Sequence, residues 1–459
     1  MFRHHFFPPA PLFPLALCLM GGIVVGRELP AVSPFQLLAT VIATLLLRRW
    51  PQVQSAAIGI CFVVLGMVVR PVDERPVPDG VATEAVVVSV PVDRPKTLMA
   101  DLLLTSTGER RRCYIWKDDR SRQLTLGDAL IVTIHDNRFV GYSDWQPGGD
   151  GKSRLSRLER LRLRALQWRA KVAQRFRSLQ GTDEEYAVLA AMTLGDKSAL
   201  SRELRDTYAV TGSSHVLALS GLHLSIIYLL LTWLTLRRRH LWPVQVLMVL
   251  AIWAYALLTG LSVSIVRAAT MLSIYTVFSL RGGSTSSLGV LSFTAIAMLL
   301  ADSHSLFDVG FQLSFMALLG ILLFMPLFNR MIPSRWLMSH RLVKWLFGLL
   351  AVSVAAQLGT APLVAYYFGR FSPWFLLTNI IVIPAATLIL YGALLVLLFP
   401  ALGGVLLWIV GTLNTLLGWM TKLPLASIEG LHPSVLQTAL IYLAIALVYV
   451  AMARRLWKS

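Results

Sequence analysis

Residues 211–223 read TGSSHVLALSGLH, and they open an apolar run that continues to Trp233. Two histidines, three serines and two glycines stand where a membrane-spanning helix is expected to begin. The surrounding chain has 459 residues, 56% hydrophobic and only 14% charged, with a mean hydropathy of +0.65. Soluble domains carry about 25% charged residues. The apolar material is cut into pieces near the roughly 20 residues that cross a bilayer, which implies a polytopic α-helical integral membrane protein. The formal charge of +18 calls for anionic neighbours, either lipid headgroups or nucleic acid. Cys18, Cys61 and Cys113 are scattered and read as small buried side chains.

About twelve spans are expected, at 11–27, 34–48, 52–69, 216–234, 241–259, 263–280, 286–300, 309–328, 343–365, 373–398, 402–420 and 435–453. The first is expected to be a retained span, since no small-residue cleavage site precedes Arg27-Glu28. Basic loops at 235–240, 279–286 and 329–342 and the tail ARRLWKS fall on one side if the N-terminus is cytoplasmic. This arrangement returns the C-terminus to the cytoplasm and puts residues 70–185 outside. The domain plan is 1–70 (three helices), 71–148 (an external β-rich domain between helices 3 and 4), 149–182 (a basic helical segment) and 183–459 (about nine helices).

Within 71–148, VATEAVVVSVPV, TLMADLLLTST, RRCYIWK and DALIVTIHD have the apolar or alternating pattern of short strands, bounded by Pro, Gly and charged turns. They suggest a meander or a small barrel like the oligonucleotide-binding (OB) type, without a ligand signature of their own. Lys152 to Arg177 then carries ten Lys or Arg against one Glu, half of the formal charge. Leu158, Leu161, Ala165, Trp168, Val172 and Phe176 recur at three- and four-residue intervals, the mark of an amphipathic helix. Its basic face suits either a membrane surface or a nucleic-acid backbone, and Arg157, Arg160, Arg164 and Arg169 are the candidate nucleic-acid contacts.

In an unbroken helix, His215 and His223 would stand about 12 Å apart along the axis and about 80° apart around it, out of contact. Gly212 and Gly221 permit breaks, and free backbone groups are tolerated in a membrane only beside protein or a watery cavity. Arg267, Asp308, Gln312, Gln357 and Asn379 are further polar groups within apolar segments. With His215, Ser220, Gly221 and His223 they are the candidate lining of a polar path. Serine, histidine and aspartate are the residue types of a hydrolytic triad, yet no G-x-S-x-G elbow, H-E-x-x-H or phosphate-binding loop occurs. No enzymatic activity, cofactor or metal is therefore expected. Composition leaves the cargo open between nucleic acid and a small solute or lipid.

The segments GSSHVLALSGLHLSIIY, LLTGLSVSIVRAATM, FDVGFQLSFMALLG, AAQLGTAPLVAYYFGRFSPW and LLTNIIVIP resemble, in order, the signatures of the ComEC/Rec2 family of bacterial competence proteins. The likeness spans about residues 185–400, and more loosely the three leading spans and external β domain. It implies an inner-membrane channel that passes single-stranded transforming DNA into the cytoplasm. It also implies partners: a periplasmic DNA-binding competence protein and a cytoplasmic ATP-driven helicase or translocase. Many members continue into a metallo-β-lactamase-like domain. The chain has no H-x-H-x-D-H cluster, so either a separate nuclease cooperates with it or it is a short form with a narrower role. The chain also departs from the family after Asp136, where the segment closing the external domain is short.

Overall fold

The computed structural model describes residues 11–29, 32–71, 80–136, 138–148, 155–235, 241–280, 286–331 and 340–456. Most of the basic loops that set the expected sidedness, at 236–240, 281–285, 332–339 and 457–459, lie outside these residues. Three helices come first: α1 (Leu12–Glu28), α2 (Pro34–Leu46) and α3 (Pro51–Val68). Ser33 caps α2 by accepting from the Phe35 N–H, and Gln36 returns a carbonyl to the Ser33 N–H. Gly22 and Gly26 of α1 meet the backbone at Val63 and Met67 of α3, and Gly66 of α3 meets Leu19 and Ile23. Small residues four apart let two helices approach to backbone contact.

The sheet follows: β1 (Ala82–Val87), β2 (Val92–Asp93), β3 (Thr97–Leu104), β4 (Arg110–Trp116), β5 (Ala129–Thr133), β6 (Phe139–Val140) and β7 (Trp145–Pro147). Its order is β6-β4-β3-β1-β5-β7, with β2 paired to β3. The expected OB-type barrel is not formed. The two ends of the order, β6 and β7, have two and three residues and do not pair with each other. Strands so short offer too few ladder bonds to close a sheet, and β7 ends on Pro147, which lacks an N–H. One face holds a core of Leu98, Leu102, Cys113, Ile115, Leu130, Val132 and Trp145. Burial there pushes the Cys113 thiol up to about 12, so it stays protonated and inert. The other face places Val86 and Leu103 against Leu155 and Leu163 of the basic helix α4 (Arg157–Arg177).

The remaining helices are α5 (Asp183–Leu194), α6 (Arg202–Val210), α7 (Ser214–Leu217), α8 (Gly221–Thr235), α9 (Trp242–Leu258), α10 (Val263–Leu280), α11 (Ser287–Ala301), α12 (Val309–Met331), α13 (Arg341–Phe368), α14 (Phe375–Leu398), α15 (Gly403–Met420) and α16 (Val435–Leu456). A two-stranded pair, β8 (Arg370–Phe371) with β9 (Ile428–Glu429), ties the start of α14 to the loop before α16.

The expected count of twelve spans is corrected by the helix lengths. Among the described residues, six helices are long and apolar enough to cross a membrane: α3, α12, α13, α14, α15 with the turn before it, and α16. Four apolar helices, α8 to α11, are shorter. The reason is local. The apolar run at 216–234 does not become one helix, because the chain is extended at Ala218 and α8 starts only at Gly221. Fifteen residues of helix reach about 22 Å, short of the roughly 30 Å hydrocarbon core. Helix α2 is likewise short, ending at Leu46 where a 3-10 turn at Leu47–Arg49 precedes Pro51.

Exposed apolar side chains dominate the outer faces, among them Trp233, Leu247, Leu398, Trp408, Val435 and Leu447. Such a surface requires lipid around it. The chain is thus a membrane protein with several apolar helices. Its largest core cluster joins Phe176 of α4 to α5, α14 and α15 through Val188, Met192, Ile389, Val410 and Leu417.

Helices α12 and α13 approach as closely as α1 and α3. A methyl group at Gly320 would meet the Ala355 carbonyl, and one at Gly359 the Met316 carbonyl. Gly359→Ala is expected to destabilise the detergent-solubilised protein by about 1–3 kcal/mol through overpacking, read as a lower thermal midpoint. Gly348→Ala in the same helix, where nothing lies within 4 Å, is expected to be neutral or mildly stabilising. Equal midpoints for the two variants would contradict this packing.

Candidate functional site

The turn that leads into the site is built from hydroxyls. Thr211 and Ser213 lie 2.9 Å apart and both are buried, and the Ser213 N–H donates to the Tyr208 carbonyl at 2.8 Å. Tyr208 in turn donates its hydroxyl to Asn414 of α15 at 2.9 Å, fixing α6 against that helix. Gly212 has φ +75°, a conformation that L side chains avoid, and a Cβ there would stand 3.0 Å from Ser372. One helical turn follows as α7, after which Ala218 is extended with φ −94° and ψ 125°.

At the start of α8, the Ser220 N–H donates to His223 Nδ1 at 3.3 Å, with the Ser220 hydroxyl 3.1 Å from the same nitrogen. His223 thereby does what Glu or Gln does in a capping box. A backbone N–H can only donate, so Nδ1 is the acceptor and the ring proton sits on Nε2. His223 is fully buried, and that Nε2 has no hydrogen-bond partner among the described residues. His215 differs: its side chain is exposed, with Nδ1 3.2 Å from the Gly212 carbonyl.

Arg267 of α10 enters the same place. Its Nη2 is 2.8 Å from where a Cβ on Gly221 would be, so the glycine makes the room that the guanidinium fills. Nη1 donates to the Ser314 carbonyl of α12, and the guanidinium carbon lies 5.7 Å from the Phe315 ring centroid. Arg267 is 7% exposed, and its Nε has no partner among the described residues. No ion pair to Arg267 occurs there either. The structure therefore joins Gly221, Ser220, His223 and Arg267 into one cluster with two buried N–H groups that have no partner among the described residues.

The other candidates lie apart from that cluster. Asp308, a conceivable counter-ion for Arg267, instead accepts from the Phe311 N–H at 2.8 Å and starts α12. Gln312 donates to the Leu306 carbonyl at 3.0 Å and accepts from the Tyr367 hydroxyl at 2.7 Å, tying α12 to the end of α13. Gln357 borders a largely apolar groove of about 360 Å³ between α13 and α16, with Pro362, Phe375 and Ile441. Asn379 sits one turn beyond Phe375, its carbonyl oxygen buried without a partner among the described residues. On α4, Arg157, Arg160 and Arg164 are exposed, whereas Arg169 is half-buried beside Gly260, where burial lowers its pKa. Sequence reasoning missed the Tyr208–Asn414 and Tyr367–Gln312 ties. Each pairs residues far apart in sequence, and only the tyrosine hydroxyls hinted at buried partners.

Among the described residues, no group of three or more His, Cys, Asp or Glu is placed to hold a metal ion. A family model described as "Competence protein" matches residues 192–455, more than half of the chain and all of the cluster above. The chain belongs to this family. This competence protein is 27% identical over 372 residues to ComE operon protein 3 of Bacillus subtilis (strain 168), covering 77% of the chain and 46% of that relative. It is 33% identical over 183 residues to an uncharacterized protein of Aquifex aeolicus (strain VF5), covering 39% and 40%. To competence protein ComA of Neisseria gonorrhoeae it is 28% identical over 161 residues, covering 32% and 23%. The chain thus spans less than half the length of these curated relatives. No solved structure matches. Family and apolar helices together define a membrane-associated competence protein.

His215 and Val216 are neighbours with opposite surroundings, one exposed and the other fully buried. In a background lacking the three native cysteines, His215→Cys is expected to react with a membrane-impermeant thiol reagent in open membranes, and Val216→Cys to stay unlabelled. Equal labelling of both, or of neither, would contradict the geometry at α7.

Proposed function

We propose that this competence protein passes single-stranded DNA across the inner membrane, along a polar path that includes His215, Ser220, Gly221, His223 and Arg267. The ComEC/Rec2 resemblance supplies the cargo class, and the cluster at the start of α8 supplies the chemistry. The observation that carries the reading is the pair of buried N–H groups on His223 and Arg267 that have no partner among the described residues. An unsatisfied buried donor costs about 1–3 kcal/mol, and a buried charge without a counter-ion costs several. Water or a phosphodiester oxygen removes that cost.

A single arginine with one hydrogen-bonded carbonyl and an aromatic ring also suits transit. Conduction requires a site favourable enough to enter and weak enough to leave. A carboxylate locked onto Arg267 would cancel the attraction, and Asp308 is engaged elsewhere. No covalent bond is made or broken in this role, so His223 acts as a hydrogen-bond donor through Nε2, while His215 Nδ1 donates to the Gly212 carbonyl. Force for movement comes from a partner, for which the resemblance suggests an ATP-driven helicase or translocase. Asp308 and Gln312 belong to the supporting framework in this reading, through a helix cap and ties between helices, whereas Gln357 and Asn379 make no such tie among the described residues.

Arg267→Gln is expected to lower entry of labelled DNA into the cytoplasm by about tenfold or more, as loss of a charged hydrogen-bonding group, with protein abundance in the membrane unchanged. Arg267→Lys is expected to retain part of the transport because the charge survives. Transport that falls only in proportion to abundance would instead assign Arg267 to helix packing.

A further inference from the structure

The sequence pattern of α4 contains two apolar stripes, and the protein covers only one of them. Leu163, Leu166, Ala173 and Phe176 are buried against the sheet and the helices. Leu158, Leu161 and Trp168 lie on a different face and remain 66%, 49% and 64% exposed. Leu161 and Trp168 are seven residues apart, which puts them two turns apart on nearly the same line. Arg157, Arg164 and Lys171 repeat at the same spacing and run beside them, all exposed. The result is an apolar strip flanked along its length by cations.

The position of α4 bears on what such a strip meets. Arg162 donates to the Gly260 carbonyl at 3.0 Å, in the short turn between the ends of α9 and α10. Leu166 and Arg169 border the same glycine. Helix α4 therefore lies against the turn that joins two apolar helices. Tryptophan beside arginine is the side-chain pairing that a hydrocarbon–headgroup boundary favours. An amphipathic helix there inserts its apolar strip among the headgroups while its cations meet lipid phosphates.

We infer that the turn at Gly260 lies at such a boundary and that α4 is an interfacial anchor for anionic phospholipid, with Leu158, Leu161 and Trp168 in the headgroup layer and Arg157, Arg164 and Lys171 on lipid phosphates. The lipid surface fits better than a polynucleotide because the exposed strip is aliphatic over one half, and aliphatic side chains offer bases no stacking surface. In this role the anchor ties the sheet, through Leu155 and Leu163 against Val86 and Leu103, to the plane of the membrane. The inference goes beyond the transport reading and stands without it.

The test uses the full chain in nanodiscs, with the native cysteines replaced and an environment-sensitive fluorophore on Leu161→Cys, Trp168→Cys or, as a solvent control, Ser143→Cys. In discs containing phosphatidylglycerol, the probes at 161 and 168 are expected to emit to the blue of that at 143 and to be quenched by shallow spin-labelled lipids. Replacing Arg157, Arg164 and Lys171 by Gln, or using zwitterionic discs, is expected to lower that quenching by roughly threefold, since each cation near the surface contributes to the attraction. Probes at 161 and 168 that behave like the one at 143 would overturn the anchor. So would probes indifferent to lipid that shift on addition of oligothymidylate, which would assign the face to single-stranded nucleic acid. Quenching that is insensitive to both the charge variants and lipid charge would also overturn the anionic assignment.

Discussion

One interruption organises this molecule: the extended backbone at Ala218 and the fresh helix start at Gly221. A helix beginning inside a membrane protein exposes N–H groups that lipid cannot satisfy. The chain meets that demand in part with its own side chain, through His223 Nδ1 accepting from the Ser220 N–H. Committing Nδ1 leaves the proton on Nε2, so the solution to one unsatisfied group creates another. Gly221 then admits Arg267 to the same spot, and the guanidinium is held by the Ser314 carbonyl and the face of Phe315. A buried cation without an acid is costly, and the helices around it must be rigid to maintain it. Backbone-to-backbone packing at Gly320 and Gly359 supplies that rigidity between α12 and α13.

Much of this was legible in the sequence, and for identifiable reasons. Polar groups within TGSSHVLALSGLH announced a broken segment because each is expensive in hydrocarbon, and the backbone does break there. Arg267 stood out on the same ground. The span count did not survive, because hydropathy reports how apolar a run is and says little about where its helix starts. Residues 218–220 are apolar enough to belong to a span, yet their backbone leaves the helix. The sheet was legible strand by strand, while its openness was not, since closure depends on how β6 and β7 meet rather than on any one strand's alternation.

Helix α4 shows a different limit. Its period of three and four residues was visible through Leu158, Leu161, Ala165, Trp168, Val172 and Phe176, but that pattern named no packed face, and of these Phe176 is buried. The protein packs the neighbouring stripe through Leu163 and Leu166. A helix this rich in arginine and leucine offers two apolar faces of similar quality, and only the tertiary partners select between them. Asp308 and Gln312 were likewise found as costly polar residues, but capping and interhelix ties account for both. Their spacing gave no sign of that difference, because a polar residue that lines a path and one that satisfies a helix end look alike in sequence.

The central claim is that the cluster at the start of α8 faces the moving strand. A thiol-bearing single-stranded DNA, stalled during uptake, provides the most direct measurement through disulfide trapping to cysteines placed along α8. A protein–DNA adduct is expected at Ser220→Cys and none at Leu224→Cys, one turn further on and fully buried. An adduct at a cysteine in an external loop, with none at Ser220→Cys, would contradict that expectation.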